Sequence, residues 1–147
     1  MARPTTFPFK DFLIKIGDGE TPEVFTKPCG LSTQGIEFTK ETNEQNVPDC
    51  DDPDMAAATE RAVTSTSATV SGDGILAAEY LPDWWAFYEE NGSRNIEVSL
   101  VGTSPNGGKW TGAFILTTFN VTGTLGEKVS VAVEMLSDGP VTFTPTP

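Results

Sequence analysis

Between Asp11 and Ile16 apolar and polar residues alternate, with Phe12, Ile14 and Ile16 on one face and Asp11, Leu13 and Lys15 on the other. A period of two is that of a strand with one buried face. Gly17-Asp18-Gly19-Glu20 follows, and Asp-Gly between strand-like runs predicts a hairpin turn with Val24-Phe25 as the return strand. Pro28-Cys29-Gly30 breaks that strand, and Ile36-Glu37-Phe38 begins another alternating piece. Residues 1–10, with Pro4 and Pro8, read as an extended N-terminal arm.

From residue 40 to 61 the alternation stops. This stretch carries Glu41, Glu44, Asp49, Asp51, Asp52, Asp54 and Glu60 and almost no large apolar group before Met55. It is expected to be a long loop, with a helical turn at Met55 to Ala58, and a loop of that length inside a compact domain is usually functional or disordered. Ala62 to Ser71, rich in Thr, Ser, Ala and Val, reads as a strand with a closely packed face. Gly72-Asp73-Gly74 then turns or bulges the chain.

One helix is predicted, over 79–91. Pro82 suits its first turn by its fixed φ and Asp83 by its charge at the positive end of the helix dipole, and Asn91-Gly92 ends it. Its apolar stripe is Leu81, Trp84, Trp85 and Tyr88, expected to anchor the helix by packing. The last third is strand and turn. Ile96, Val98 and Leu100 alternate with Glu97 and Ser99, and Pro105-Asn106-Gly107-Gly108 turns into a long strand from Trp110 to Val121. Val129, Val131, Val133 and Met135 line the face of another strand, which Ser137-Asp138-Gly139-Pro140 closes. Residues 140–147 leave as an extended C-terminal tail. The sum is a single mainly β domain: an antiparallel sandwich or barrel of two packed sheets flanked by one helix, without internal repeats.

Composition narrows what such a domain can do. The 147 residues hold 9 Lys+Arg, 21 Asp+Glu and no histidine, for a net charge of −12. Without histidine there is no Ser-His-Asp triad, no imidazole base and no histidine-anchored zinc. The acidity argues against gripping nucleic acid, which rests on Lys and Arg neutralising phosphates. No secretory signal and no membrane-spanning run is visible, so the sequons at Asn91 and Asn120 are inert. Cys29 and Cys50 read as two reduced thiols or as a disulfide formed later, outside the cell.

Candidate chemistry is sparse. Gly107-Gly108-Lys109 lacks the Ser/Thr and the upstream glycine of a phosphate loop. Among so many carboxylates no pair stands out as the acid and base of a hydrolase. The sharpest cluster is Asp49-Cys50-Asp51-Asp52-Pro53-Asp54. Asp49, Asp51, Asp52 and Asp54 offer hard oxygen ligands for Ca²⁺, although Pro53 and Asp54 break the EF-hand spacing. The competing reading is a solvated acidic loop that a protein partner orders. No cofactor is implied.

Several landmarks together resemble a known family. Asp11-Phe-Leu-Ile-Lys-Ile-Gly17, Lys27-Pro-Cys-Gly30, Val47-Pro-Asp-Cys-Asp-Asp-Pro53, Gly126-Glu-Lys-Val129 and Ser137-Asp-Gly-Pro-Val-Thr-Phe143 are similar, in that order, to the tail tube proteins. These are the major tail proteins of long-tailed phages and of gene transfer agent particles. The resemblance runs from about residue 9 to 144.

It implies a virion subunit, made in the host cytoplasm, with two packed sheets, a flanking helix and a long loop. Six subunits would form a ring whose inner sheet closes into a β-barrel, and rings would stack into a tube. The tube would be wound around a tape-measure protein, bounded by a terminator and by distal tail-tip proteins, and would pass DNA without binding it. On this reading Asp49, Asp51, Asp52, Asp54, Met55 and Phe143 contact neighbouring subunits or rings, as do the two chain ends. Leu81, Trp84, Trp85 and Tyr88 pack the helix outside the barrel. Glu97 and Glu134 are candidates to face the lumen. The alternative is an acidic β-sandwich binding or decoration module, calcium-dependent through the Asp49–Asp54 cluster; an acidic hydrolase is the third reading.

Overall fold

The computed structural model describes residues 2–17, 25–101 and 107–145. The predicted turns at Asp18-Gly19-Glu20 and Pro105-Asn106, together with Val24 and the last two tail residues, lie outside them. Among these residues there are seven strands, β1 (Phe12–Gly17), β2 (Phe25–Thr26), β3 (Leu31–Val47), β4 (Ala58–Ile75), β5 (Arg94–Leu100), β6 (Gly108–Thr122) and β7 (Ser130–Pro145), and one α-helix, α1 (Leu81–Glu89), between β4 and β5. All pairings are antiparallel, and the strands form one sheet in the order β2-β1-β5-β6-β7-β4-β3.

The expectation of two separate packed sheets therefore gives way to one continuous ladder that bends. The rings of Phe38 in β3 and Trp110 in β6 have centroids 5.6 Å apart, although β7 and β4 lie between those strands in the ladder. Three strand spacings in a flat sheet would separate them by about 14 Å. The bend falls in β6 and β7, whose register shifts between Gly112 and Phe114 and again between Leu116 and Thr118. Such bulges turn a strand and increase its twist. The first half of β6 pairs with β5, the first half of β7 with β4, so these two strands carry the chain from one half of the sheet to the other.

Alternation fixes the core. Ile14, Ile96, Val98, Phe114, Leu116, Val70, Val131, Val133 and Met135 are buried in one cluster. Helix α1 closes it from one side with Trp84 and Phe87, and the Trp84 ring lies 6.4 Å from that of Phe119. Tertiary packing of this face, more than intrinsic propensity, stabilises so short a helix. The predicted helix over 79–91 is in fact a 3-10 turn at Ala78–Tyr80 leading into α1, with Pro82 in its first turn. Of the predicted stripe only Trp84 is buried. Leu81, Trp85 and Tyr88 are 43%, 49% and 45% exposed, and Phe87 takes the inward place. At about 100° per residue Trp84 and Phe87 point about a quarter turn away from the direction shared by Leu81, Trp85 and Tyr88.

A close approach links the start of β3 to the end of β4. The amide of Ile75 donates to the Gly30 carbonyl at 2.9 Å, and Gly30 sits at φ +96. A Cβ on either Gly30 or Gly74 would overlap the facing backbone. Gly72-Asp73-Gly74, expected to turn the chain, instead stays in β4 paired with β7.

Candidate assembly surfaces

The region read as a loop over 40–61 is largely strand. Strand β3 pairs with β4 residue by residue from Gln34↔Gly72 to Val47↔Ala58, with one shift at Glu41/Thr42, and leaves only 48–57 as the connection. The two strands form a long ribbon, exposed from Glu37 to Ser67. No apolar alternation marks it, because neither face is buried within the single chain. Register is held instead by the ladder and by cross-strand side chains: Arg61 pairs with Glu44 at 3.0 Å, and the Thr59 hydroxyl donates to Asn46 at 3.1 Å.

The sharpest sequence cluster lies at the ribbon's tip. The Asp49 carboxylate accepts the amides of Asp51 at 2.8 Å and Asp52 at 3.1 Å, and the Met55 amide donates to the Asp52 carbonyl. Asp49 thus shapes the turn, as aspartate side chains do. Asp51, Asp52, Asp54 and Met55 are all exposed there, and a turn replaces the predicted helical piece at 55–58. Among the described residues no three acidic or thiol side chains converge as a metal site requires.

Where ribbon and body separate, the sheet forks. Strand β4 follows β7 only as far as Thr69↔Leu136. Beyond that point the Ser137 hydroxyl accepts the Ala68 amide at 2.9 Å, and β7 bulges through Asp138, Gly139 and Pro140, with Gly139 at φ +109. The predicted terminator Ser137–Pro140 is thus a bulge, and the predicted C-terminal tail is the second half of β7, paired with β6 to Pro145↔Gly108. A cleft of about 260 Å³ opens between the arms of the fork, lined by residues that include Phe38, Lys40, Ala68, Ser137 and Val141. On one side Phe38, Trp110 and Phe143 form an aromatic row, the last two rings 5.3 Å apart. Phe38 and Phe143 are each half exposed.

The four strands β6-β7-β4-β3 present two unlike faces. One belongs to the core. On the other, register places Glu37 beside Thr69, Ser71 beside Glu134 and Thr118, and Asp73 beside Ala132 and Asn120. Glu37, Asp73 and Glu134 are exposed, and no Lys or Arg shares these rows. Glu97 lies elsewhere: it stands opposite Lys15, in the half of the sheet built on β1 and β5. Two edges of this four-stranded region are open among the described residues, the outer edge of β3 and that of β6 beyond the last β5 partner, Phe114.

A family model described as phage tail tube protein matches residues 6–143. The chain belongs to the phage tail tube protein family. Its place is the tail of a virion, and the family is structural, not enzymatic. Among solved structures, the tail of an empty gene transfer agent particle with C6 symmetry superposes with a TM-score of 0.72 at 21% identity, over 95% of this chain and 99% of that one. The SPP1 tail tube does so with a TM-score of 0.63 at 7% identity, over 96% and 80%. A sheath-tube complex of an extracellular contractile injection system gives 0.61 at 13% identity, over 96% and 93%. No curated protein sequence matches. In this tail tube protein the sequence named the ribbon's tip, Phe143 and, on the polar face, Glu134, but not the fork or Glu134's companions, Glu37 and Asp73. Both depend on which strands are neighbours, and that is written in register, not in local pattern.

Proposed function

We propose that six copies of this chain close into a ring, that rings stack into a hollow tube, and that the tube carries DNA from the capsid to the host cell. The carrying observation is the four-stranded region with two open edges and one carboxylate-bearing face. Laying β3 of one copy beside β6 of the next satisfies both edges, and a head-to-tail contact of this kind closes into a ring when its rotation allows. C6 symmetry is what the similar gene transfer agent tail displays. Closed this way, the face bearing Glu37, Asp73 and Glu134 lines the lumen. Phosphates meet carboxylates, hydroxyls, amides and a few apolar side chains such as Leu136 in these rows, and no cation, so DNA slides and does not stick.

The ribbon, with Asp49, Asp51, Asp52, Asp54 and Met55 at its tip, projects from the body and reaches a neighbouring subunit or the next ring. Phe143, half exposed at the fork, lies at such a contact as well. A tape-measure protein occupies the lumen during assembly, and a terminator and distal tail proteins cap the two ends.

Negative-stain microscopy of the concentrated protein tests the reading. Hollow tubes or six-fold rings are expected. A protein that stays monomeric under every condition, its tail initiator included, would overturn it. Removing residues 44–56 should leave a folded monomer unable to polymerise, and unchanged tube formation would remove the ribbon's tip from the mechanism.

A further inference from the structure

We propose that the fork between β4 and β7 is a strand-binding slot, and that its occupant is the N-terminal segment, Arg3 to Phe9, of a second copy. The inference rests on the tube reading and names a contact that reading leaves open. Past Thr69 on β4 and past Leu136 on β7, neither strand has a ladder partner on its fork-facing side among the described residues. Beyond the Ala68 amide, which Ser137 holds at the apex, the slot is walled by two rows of backbone groups outside any ladder, the arrangement that recruits an added strand. The Phe38–Trp110–Phe143 row supplies an apolar surface beside it.

The N-terminal segment carries matching features. Residues 2–8 lie outside every strand and helix, and Phe7 and Phe9 are 44% and 54% exposed. In an extended chain Thr5 and Phe7 turn their amide and carbonyl groups to one side, while residues 4, 6 and 8 turn theirs to the other. Pro4 and Pro8 fall on that second side and lack the N–H, so the segment pairs fully with one arm of the fork and turns its proline side to the other. Phe7 also projects its ring to the face opposite Pro8, toward the aromatic row. Charge agrees as well. Arg3 and Lys10 precede the first carboxylate, Asp11, whereas the ribbon beside the fork carries Glu37, Glu41, Glu44 and Glu60 against Lys40 and Arg61.

A synthetic peptide of residues 2–10, titrated onto the full chain held at monomeric concentration, tests the slot without requiring tubes. A saturable change in tryptophan emission is expected, through Trp110, and the same peptide with Phe7→Ser and Phe9→Ser should give none. No response up to millimolar peptide, or equal responses from both peptides, would overturn the proposal. In assembled protein, a chain with Cys29→Ser, Cys50→Ser, Phe7→Cys and Phe38→Cys should oxidise to a ladder of linked copies on a non-reducing gel. A product confined to single chains would mean that each segment fills its own fork and would sink the second-copy assignment. Failure of wild-type tubes to form counts against the tube reading alone, because the peptide titration still decides the slot.

Discussion

The amide of Ala68 donates to the hydroxyl of Ser137 at 2.9 Å, at the point where β4 and β7 cease to be neighbours. A side chain takes over a bond that the next backbone carbonyl would otherwise supply. Ala68 is buried, so Ser137→Ala strands its N–H without a partner, which costs about 1–2 kcal/mol. Urea unfolding of the monomer should show that loss, with Ser137→Thr retaining most of the stability. An unchanged midpoint in Ser137→Ala would mean that the fork is not held by this bond.

The two adjacent tryptophans of α1 should separate cleanly. Trp84 is 2% exposed against the core and Trp85 49% exposed, stacked on Tyr88 with centroids 5.5 Å apart. Trp84→Ala should destabilise the fold by about 3–5 kcal/mol through the cavity it leaves, and Trp85→Ala by less than about 1 kcal/mol. Thermal or denaturant unfolding of each variant checks this. Comparable losses would contradict the orientation of the helix.

How much of this was legible beforehand depended on whether an element buries one face within its own chain. Strands β1, β5 and the first half of β7 do, and their Phe12-to-Ile16, Ile96-to-Leu100 and Val131-to-Met135 alternations show it. The ribbon does not. Its Thr, Ser, Glu and Asn residues are strand-compatible at best, and the polar run from Lys40 reads as loop because hydrophobic period is the signal that is missing. Pairing along the ladder, which is what creates the fork and lines up Glu37, Asp73 and Glu134, has no local sequence signature at all. The aspartates at the tip were visible as a cluster, but not as a turn closed by Asp49.

Reversing the polar face should give the subunit a grip on DNA. Glu37→Lys, Asp73→Lys and Glu134→Lys together replace three exposed carboxylates with cations on a face whose other side chains are mostly hydroxyls and amides. Binding to a fluorescent duplex, absent in the parent chain, should appear in the variant and weaken steeply with salt, by a log–log slope of about −0.9 per phosphate contacted. The same three changes made in tubes should retain DNA at low ionic strength. Binding indistinguishable from the parent would show that these positions do not face the path of the nucleic acid.

Tyr80 lies 3.8 Å from the sulfur of Cys29, and its pKa is raised above the ordinary tyrosine value. The main cause is the hydrogen bond with Cys29, followed by the repulsion an ionised Cys29 would exert, by burial and by the nearby charges of Glu79 and Asp83. A raised folded pKa favours the protonated form. The contribution is therefore fully present below about pH 10, where an unfolded tyrosine titrates, and is lost as pH climbs through the folded value. The chain has only two tyrosines, so Tyr88→Phe isolates Tyr80 in a phenolate absorbance titration. Adding Cys29→Ala should move that ionisation to lower pH; no movement would dismiss the contact.

Cys29 and Cys50 stand at opposite ends of β3: Cys29 two residues before Leu31, at the strand's base, and Cys50 three residues after Val47, at the ribbon's tip. Seventeen strand residues span about 55 Å at 3.3 Å each, whereas a disulfide needs its two Cα atoms within about 7 Å. The pair cannot close within one chain without dismantling the ribbon. Both thiols are exposed, so each should react with an alkylating reagent in the folded monomer. Mild oxidation of dilute protein should leave single-chain mobility on a non-reducing gel unchanged. At high concentration any disulfide should appear at doubled mass, and Cys50→Ser should remove every product that depends on the tip. An oxidised monomer with both thiols blocked and faster mobility would refute the extended ribbon itself, because only a chain folded back on its own base could make it.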